Sequence, residues 1–415
     1  MASEEKPQRE PATHLVIVPH THWDREWYRP FETFRHRLVH LVDTLLDILE
    51  SDPAFLFHFD GQTIVLDDYL AIRPQNEDRL RRQLQSGRIR IGPWRVLPDQ
   101  FLVSGESLIR NLQQGHADCA RWGVQPSAVG YAPDMFGHAA ATPQVFAGFG
   151  IDCAVVWRGV GPDVRDTRFM WQGADGSRLF TIYLADSYSN GANLPTNGDA
   201  LMARLDEIRA AQRDFCHIPP LLIMNGSDHL EPQPAIPALM DAVVARRPDW
   251  TWELASIESF VEMARGHAGD LPLHVGELRH PWRANILPGV TSVRSYQKQA
   301  DFMASRLLEK YVEPLTAWAQ QLGGDRGNAD FTAYAWRLLT ENHPHDSICG
   351  CSVDAVHDEM DTRYEKVMQL GLTLQNDAIS QLAEALDAAS LATGFEQALV
   401  TYTAARPALQ LLDTA

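Results

Sequence analysis

The chain has 415 residues, of which 45% are hydrophobic and 22% are charged, and this composition is ordinary for a globular protein of two or three domains. Its formal net charge of -18 argues against a nucleic-acid partner, because binding to phosphates depends on a surplus of lysine and arginine. No stretch is apolar for long enough to predict a membrane-spanning helix. Residues 1–11 are polar and lack the regions of a secretory signal, and the five cysteines are dispersed, so we expect a cytoplasmic protein.

The first predicted element is a buried strand at Leu15 to Val18, which the polar segment His20-Thr21-His22-Trp23-Asp24 follows directly. Residues of equal parity in an extended chain point to the same face, so His20, His22 and Asp24 would project together beyond the strand. Two imidazoles and a carboxylate suit a divalent cation such as zinc. From this pattern alone, a set of polar residues capping a strand explains the segment equally well.

Strands and helices then alternate along the first 254 residues. Hydrophobic periodicity predicts further strands at Phe55–Phe59, Ile89–Val96, Ala128–Pro133, Cys153–Trp157, Leu179–Leu184, Pro220–Met224 and Trp250–Leu254. It predicts helices at Phe31–Leu49, Asp67–Leu84, Glu106–Trp122, Thr142–Phe149, Leu201–Gln212 and Ile236–Ala245. This alternation is typical of α/β folds whose parallel strands are joined by right-handed crossovers, in a barrel or in an open sheet.

Polar side chains follow five of the predicted strands. They are His22 with Asp24, Asp60, Asp134, Arg158 and Asp228. Because the sites of parallel α/β folds lie at the carboxyl ends of the strands, we expect these side chains to share one site.

The pattern changes near Leu271, where several prolines interrupt the chain. Helices are then predicted at Thr291–Ala319, Phe331–Glu341 and Val353–Ala388, and a loop that contains His345 and Asp346 separates the last two. We therefore divide the chain into an α/β domain at residues 1–270, a helical domain at 271–390 and the start of a β-rich region at 391–415.

Four separated motifs together carry a family resemblance. They are His22-Trp23-Asp24, Tyr131-Ala132-Pro133-Asp134-Met135-Phe136-Gly137-His138, Asn225-Gly226-Ser227-Asp228 and His345-Asp346. They resemble, in the same order, the catalytic domain of glycoside hydrolase family 38, the retaining α-mannosidases. Phe59-Asp60-Gly61-Gln62 and Ser104-Gly105-Glu106-Ser107 are similar to its bacterial members, and the similarity runs from about residue 14 to about residue 375.

The resemblance implies a seven-stranded parallel β/α barrel, then a three-helix bundle, then β-sandwich domains of which residues 391–415 would be the start. It also implies one zinc ion per chain, with four ligands: His22, Asp24, Asp134 and His345. The helical domain would thus supply one metal ligand, and His20 would support the site rather than bind the ion.

For the reaction, the resemblance implies that Asp134 is the nucleophile and Asp228 the general acid and base. A retaining mechanism would place their carboxyl groups ~5–5.5 Å apart. Four further residues would contact the sugar: Trp27, Phe136, Arg158 and Asp346. The implied substrate is a small glycoside or oligosaccharide with a terminal α-D-mannose.

Other functions stay open at this point. The bacterial form of the first motif also fits a mannosylglycerate hydrolase of the same family. Metal sites with the H-x-D pattern on β/α barrels also serve carbohydrate deacetylases, and a truncated chain is compatible with an inactive sugar-binding fragment. Family members often form dimers or larger assemblies, so the resemblance allows a homo-oligomer.

Overall fold

The structure is a computed structural model that describes residues 13–216, 220–266, 270–324 and 328–385. The β-rich region predicted at 391–415 lies outside the described residues. The chain divides into two compact units, of which the first comprises residues 1–299 with 340–361 and the second comprises residues 300–339 with 362–415.

The strands of the described residues all lie in the first unit. They are β1 (Thr13–Pro19), β2 (Phe57–His58), β3 (Ile89–Arg90), β4 (Val129–Ala132), β5 (Cys153–Val156), β6 (Arg168–Gln172), β7 (Arg178–Tyr183), β8 (Leu221–Asn225), β9 (Trp250–Leu254) and β10 (Leu273–Val275). They form three sheets, with the orders β8-β1-β9, β10-β6-β7-β5-β4 and β2-β3. Neighbours are parallel except for β6 and β7. The α/β class is confirmed, whereas a closed seven-stranded parallel barrel is not, because the described strands pair in separate sheets and include an antiparallel pair.

The described helices alternate with these strands along the chain and continue after the last strand. They are α1 (Phe31–Ser51), α2 (Ile64–Leu70), α3 (Glu77–Gln85), α4 (Gly105–Trp122), α5 (Thr142–Gly148), α6 (Gly198–Gln212), α7 (Ile236–Arg246), α8 (Ile257–Gly266), α9 (Ser295–Leu307), α10 (Glu313–Gln321), α11 (Asn328–Thr340), α12 (His345–Cys349) and α13 (Asp354–Ala385). Short 3-10 turns occur at Pro74–Asn76 and Pro288–Thr291, and a π-helical turn at Leu308–Val312 joins α9 to α10. None of the described helices is both long and apolar enough to cross a membrane.

Strand β1 is the central strand of its sheet, and it explains the position of the first motif. Its apolar residues are buried on both faces, as expected for a strand that is covered on both sides. Strand β1 pairs with β8 from Leu15 and Leu221 to Pro19 and Asn225. The segments that follow these two parallel strands therefore leave the sheet side by side, and these segments carry His22 and Asp228.

The described residues of the second unit form packed helices. Trp336 Nε1 of α11 donates to Glu313 Oε1 of α10 at 2.9 Å. Tyr364 OH of α13 donates to Asp301 Oδ1 of α9 at 3.3 Å. Four helices contribute to these contacts, so the three-helix bundle is not confirmed in this form.

Candidate active and metal site

Four of the predicted site residues converge in the first unit. His22 and Asp24 follow β1, Asp134 follows β4, and His345 is the first residue of α12. His22 Nε2 lies 3.1 Å from Asp24 Oδ1 and 3.7 Å from Asp134 Oδ2. His345 Nε2 lies 3.6 Å from Asp24 Oδ1 and 3.5 Å from Asp134 Oδ2. We call these four side chains the donor set.

The donor set fits a divalent cation. Ligand atoms placed ~2.0–2.2 Å from a tetrahedral zinc ion are about 3.4 Å from one another, which is close to the four distances above. All four residues are at most 9% exposed. The Nε2 atoms of His22 and His345 are buried and lack a hydrogen-bond partner of suitable geometry among the described residues. Such an unpartnered atom costs about 1–3 kcal/mol, and coordination to a cation would remove that cost.

Charge in the donor set also favours a cation. Burial lowers the pKa of His22, but the carboxylates beside it outweigh burial and raise this pKa well above its usual value. Burial likewise lowers the pKa of His345, but the adjacent Asp346 and further carboxylates raise it to about 9. Burial raises the pKa of Asp24, yet its imidazole neighbours bring this pKa below the usual value. Without a metal ion, the raised pKa values favour protonated imidazoles beside the carboxylates. A bound dication would supply the positive charge that is lost when the imidazoles release these protons.

Asp228, the predicted general acid and base, lies beside His22. The backbone N–H of His22 donates to Ser227 O at 3.1 Å, and His22 and Asp228 form a parallel β-bridge beyond the ends of β1 and β8. Gly226 permits this close approach, because a Cβ atom at this position would lie 2.0 Å from His20 O. The pairing of β1 with β8 therefore extends into the site.

Tyr188 is a site residue that the sequence motifs do not identify. Its OH donates to Asp228 Oδ1 at 2.7 Å, and its ring centroid lies 5.1 Å from that of His22. Burial first, and then the neighbouring carboxylates, raise the pKa of Tyr188, so it remains a protonated donor. Tyr188 belongs to the polar segment Asp186 to Asn190 after β7. The same signal, polar residues after a strand, could have indicated it.

Comparison with known proteins identifies the family. The profile described as "Glycosyl hydrolases family 38 N-terminal domain" matches residues 12–277. The chain belongs to glycosyl hydrolase family 38. A second profile, "Alpha mannosidase middle domain", matches residues 286–382. The family predicted from the four motifs is thus confirmed.

Relatives from several organisms agree with membership of family 38. The chain is 41% identical over 370 residues to a "Putative mannosylglycerate hydrolase" of Halalkalibacterium halodurans, covering 85% of this chain and 41% of the relative. It is 23% identical to human "Alpha-mannosidase 2C1", covering 88% of this chain and 34% of the relative. The crystal structure of an alpha-mannosidase from Enterococcus faecalis superposes with a TM-score of 0.86 and 38% identity, covering 90% of this chain and 43% of that chain. The chain spans less than half of the length of each of these proteins.

Arg158 contacts Asp134 in this family 38 site. Its Nε lies 2.7 Å and its Nη2 2.6 Å from the same atom, Asp134 Oδ1. The other oxygen, Oδ2, faces the imidazoles of the donor set. Burial raises the pKa of Asp134, but the contacts from His345 and Arg158 outweigh burial and lower it below the usual value. Asp134 is therefore held as a carboxylate whose two oxygens have different neighbours, Arg158 at Oδ1 and the imidazoles at Oδ2.

The other predicted sugar contacts lie at different distances from the donor set. The Phe136 ring is edge-on to His345, with centroids 5.5 Å apart. Asp346 is buried next to His345, and burial raises its pKa to about 7. Trp27 is half-buried and packs edge-on against Tyr28, with centroids 4.9 Å apart. The described contacts thus bring Phe136 and Asp346 to the site. The Trp27 ring packs in its own loop and on the core beside α1, and its backbone O accepts a hydrogen bond from Val353 N at 2.9 Å, just before α13.

The side chain of His20 does not point to the same face as those of His22 and Asp24, although the alternation of an extended chain had predicted that it would. Its Nε2 is hydrogen-bonded to Tyr188 O at 2.9 Å, and the side chain is buried outside the donor set. Strand β1 ends at Pro19, so the regular alternation of side chains does not continue through His20.

Proposed function

We propose that this chain is the catalytic portion of a retaining glycoside hydrolase that cleaves terminal α-D-mannosides. The observation that carries the proposal is the position of Asp134. Its Oδ2 faces the imidazoles of His22 and His345, and its Oδ1 is held by Arg158. Asp228 lies on the neighbouring segment, where Tyr188 orients it. Family membership and the mannosidase names of the relatives support mannose as the sugar.

His22, Asp24, Asp134 and His345 are the side chains that would hold one zinc ion. A zinc ion bound there supplies Lewis-acid binding of the sugar hydroxyls. Phe136, Asp346 and Trp27 would contact the mannose ring. Arg158 would keep Asp134 ionised and oriented throughout the reaction, through charge-assisted hydrogen bonds.

The reaction has two steps on these side chains. In the first step, the Asp134 carboxylate attacks the anomeric carbon while the bond to the leaving oxygen breaks, and Asp228 gives that oxygen a proton. The products are a free alcohol and a mannosyl ester of Asp134. In the second step, Asp228 takes a proton from water, the water oxygen attacks the anomeric carbon, and the Asp134 carboxylate leaves. Two inversions at one carbon give net retention.

A second candidate substrate has the same sugar and a different leaving group. The relative at 41% identity is named as a putative mannosylglycerate hydrolase, so α-mannosylglycerate is an alternative to neutral mannosides. Parallel assays with α-mannosylglycerate and methyl α-mannoside distinguish the two. Acetate release from an acetylated sugar, without cleavage of the glycosidic bond, would instead favour a deacetylase.

The test is product stereochemistry combined with one substitution. With zinc and 4-nitrophenyl α-mannoside, NMR should show α-mannose as the first product, and β-mannose would contradict a retaining reaction. Asp134→Ala should lower kcat on the order of 10³-fold or more, since it removes the nucleophile. Asp175→Ala, which removes an exposed carboxylate in the turn before β7, is the matched control and should keep the original rate. Turnover by Asp134→Ala near the original rate would reject the assignment.

Two further assignments are also proposals, and two others stay predictions. The domain limits 1–270 and 271–390 are supported by the two family profiles, which meet between residues 277 and 286. A barrel is supported by the parallel bridge between His20 and His58, which links the segment after β1 to β2. The cytoplasmic location and the homo-oligomer stay predictions from the sequence.

A further inference from the structure

The turn after β2, Asp60-Gly61-Gln62, contacts the metal-ligand segment after β1. Asp60 is fully buried, and its Oδ2 lies 2.7 Å from His22 Nδ1. The same oxygen accepts the backbone N–H of Trp23 at 3.0 Å. Gln62 Nε2 donates to Trp23 O at 2.7 Å and lies 3.2 Å from Asp60 Oδ2. The turn thus binds both backbone polar groups of Trp23, the residue between His22 and Asp24.

These contacts affect the imidazole of His22 chemically. The contact is not aligned as a hydrogen bond, but a negative carboxylate 2.7 Å from Nδ1 attracts the proton to that nitrogen, so the lone pair of the neutral ring is on Nε2. Nε2 is the atom that faces Asp24 and Asp134. A negative partner also makes the imidazole a stronger donor to a metal ion.

The backbone of the turn supplies an independent observation. Asp60 has φ +52° and Gly61 has φ +69°, so both lie in the left-handed region. For a non-glycine residue this conformation costs on the order of 1–2 kcal/mol, and it persists where surrounding contacts fix it, as at functional sites. A Cβ on Gly61 would lie 3.0 Å from Tyr131 Cβ, so the turn packs closely on β4, the strand that leads to Asp134.

We propose that Asp60 and Gln62 are positioning residues that set the zinc affinity of the site. Asp60 fixes the tautomer and orientation of His22, and both residues fix the backbone that spaces His22 from Asp24. The proposal rests on the proposed zinc site and concerns metal affinity rather than bond cleavage.

The experiment measures zinc affinity in the 415-residue chain by competition with a chromogenic chelator, so it needs no enzymatic activity. Asp60→Ala should lower the affinity about 10–100-fold, which is the usual cost of losing such a partner. Asp60→Asn keeps an oxygen that accepts hydrogen bonds but removes the charge, so its loss should be smaller than that of Asp60→Ala. Gln62→Leu, which keeps the volume but removes both donated hydrogen bonds, should also weaken binding.

A matched control separates positioning from general stability. Asp118 is another buried carboxylate, and its Oδ2 accepts hydrogen bonds from Thr63 and Arg95 at 2.7 Å each. Asp118→Asn should lower the free energy of unfolding of the metal-free chain, measured in urea, and leave zinc affinity unchanged. Equal losses of affinity in Asp118→Asn and Asp60→Asn would show a structural role only and overturn the inference.

His345→Ala distinguishes failure of the inference from failure of the proposed function. If the original chain and His345→Ala bind zinc equally, the proposed metal site is wrong, and the role of Asp60 is rejected with it. If His345→Ala loses zinc while the Asp60 and Gln62 variants bind it as the original chain does, the site stands and this inference alone is rejected. If Asp60→Ala does not fold, Asp60→Asn and Gln62→Leu decide by the same comparison.

Discussion

Asp228 accepts a hydrogen bond from Tyr188 on Oδ1 and is joined through the backbone to the segment of His22. One carboxyl oxygen is therefore fixed by a neutral donor, and in the proposed reaction the other would exchange the proton with the substrate. The proposed role of Asp228 is to protonate a departing oxygen, and this role matters only when that oxygen is a poor leaving group. The chemistry of the leaving group therefore tests Asp228 separately from Asp134.

We predict that Asp228→Ala slows cleavage of methyl α-mannoside by about 10²–10⁴-fold, because an alkoxide cannot leave without a proton. The first step with 2,4-dinitrophenyl α-mannoside should be affected far less, since that leaving group needs no proton. Pre-steady-state release of dinitrophenolate, compared with steady-state turnover of both substrates, measures the difference. Equal losses for both leaving groups would show that Asp228 is not the general acid.

The family resemblance carried by the four motifs predicted the residues of the donor set, and the structure brings their side chains within 3.1–3.7 Å of one another. Parity, in contrast, wrongly grouped His20 with His22 and Asp24. The reason is local: β1 ends at Pro19, and His20 turns to the backbone of Tyr188. Tyr188 was missed because only the polar segments that match a family motif were assigned roles, and the segment after β7 that carries Tyr188 matches none of them.

At the scale of elements, most helices and strands agree with hydrophobic periodicity, and prolines explain the main differences. The helix predicted at Asp67–Leu84 is α2, a 3-10 turn and α3, because Pro74 lacks a backbone N–H and disfavours helical geometry in Arg73. In the strand predicted at Ile89–Val96, Ile89–Arg90 pair with β2 and Trp94 forms only an isolated parallel bridge with Gln62, since Pro93 between them has no N–H to donate to a neighbouring strand.

The antiparallel β6 was missed for a different reason. The rule of alternating strands and helices places a crossover before each new strand, whereas β6 and β7 are joined by a tight turn. In this turn Gly173 N donates to Ser177 O at 2.9 Å, and Gly176 has φ +89°. The dipeptide Asp175-Gly176 is a hairpin signal in the sequence, and it would have predicted this pair.

The close contact between the segments after β1 and β8 gives a prediction at the element scale. Gly226→Ala would place a Cβ 2.0 Å from His20 O, so one segment must move. We expect the free energy of unfolding to fall by about 1–3 kcal/mol, as for other overpacked sites, and kcat to fall because Asp228 moves with the loop. Urea unfolding and the rate on an aryl α-mannoside measure the two effects.

Gly148→Ala is the matched control for this prediction. Gly148 is the last residue of α5, and a Cβ there would have no neighbour within 4 Å. Its stability and kcat should stay close to the original values. If Gly226→Ala behaves in the same way, the segments are not held together as tightly as their backbone contacts indicate.

At the scale of the whole molecule, a buried histidine outside the donor set predicts acid sensitivity. Burial lowers the pKa of His138 to about 3, against about 6.5 in an unfolded chain. Above about pH 6.5 the ring is neutral in both states, so it has no effect on stability. Between about pH 6.5 and 3, only the unfolded chain binds the proton, and the free energy of unfolding falls by up to about 1.4 kcal/mol per pH unit.

We therefore expect His138→Phe to flatten the fall of stability between about pH 6 and pH 4, because phenylalanine has no proton to bind. Urea unfolding of the metal-free chain at several pH values, followed by tryptophan fluorescence, measures the slope. His280→Phe, at an exposed position, should leave the slope unchanged. A slope in His138→Phe equal to that of the original chain would mean that this ring already binds its proton in the folded state.

Zinc should stabilise the whole first unit, because the ligands proposed for it come from segments that meet only in the folded chain. His22 and Asp24 follow β1, Asp134 follows β4, and His345 opens α12. A ligand that binds only the folded state adds about 2.7 kcal/mol to the free energy of unfolding at a free concentration 100 times its Kd. Urea unfolding at graded zinc concentrations should follow this dependence, and a chelator should reverse it. His345→Ala should lose this dependence, while the exposed-site control His280→Ala should retain it. If the free energy of unfolding of the original chain does not change with zinc concentration, coordination by this donor set is contradicted.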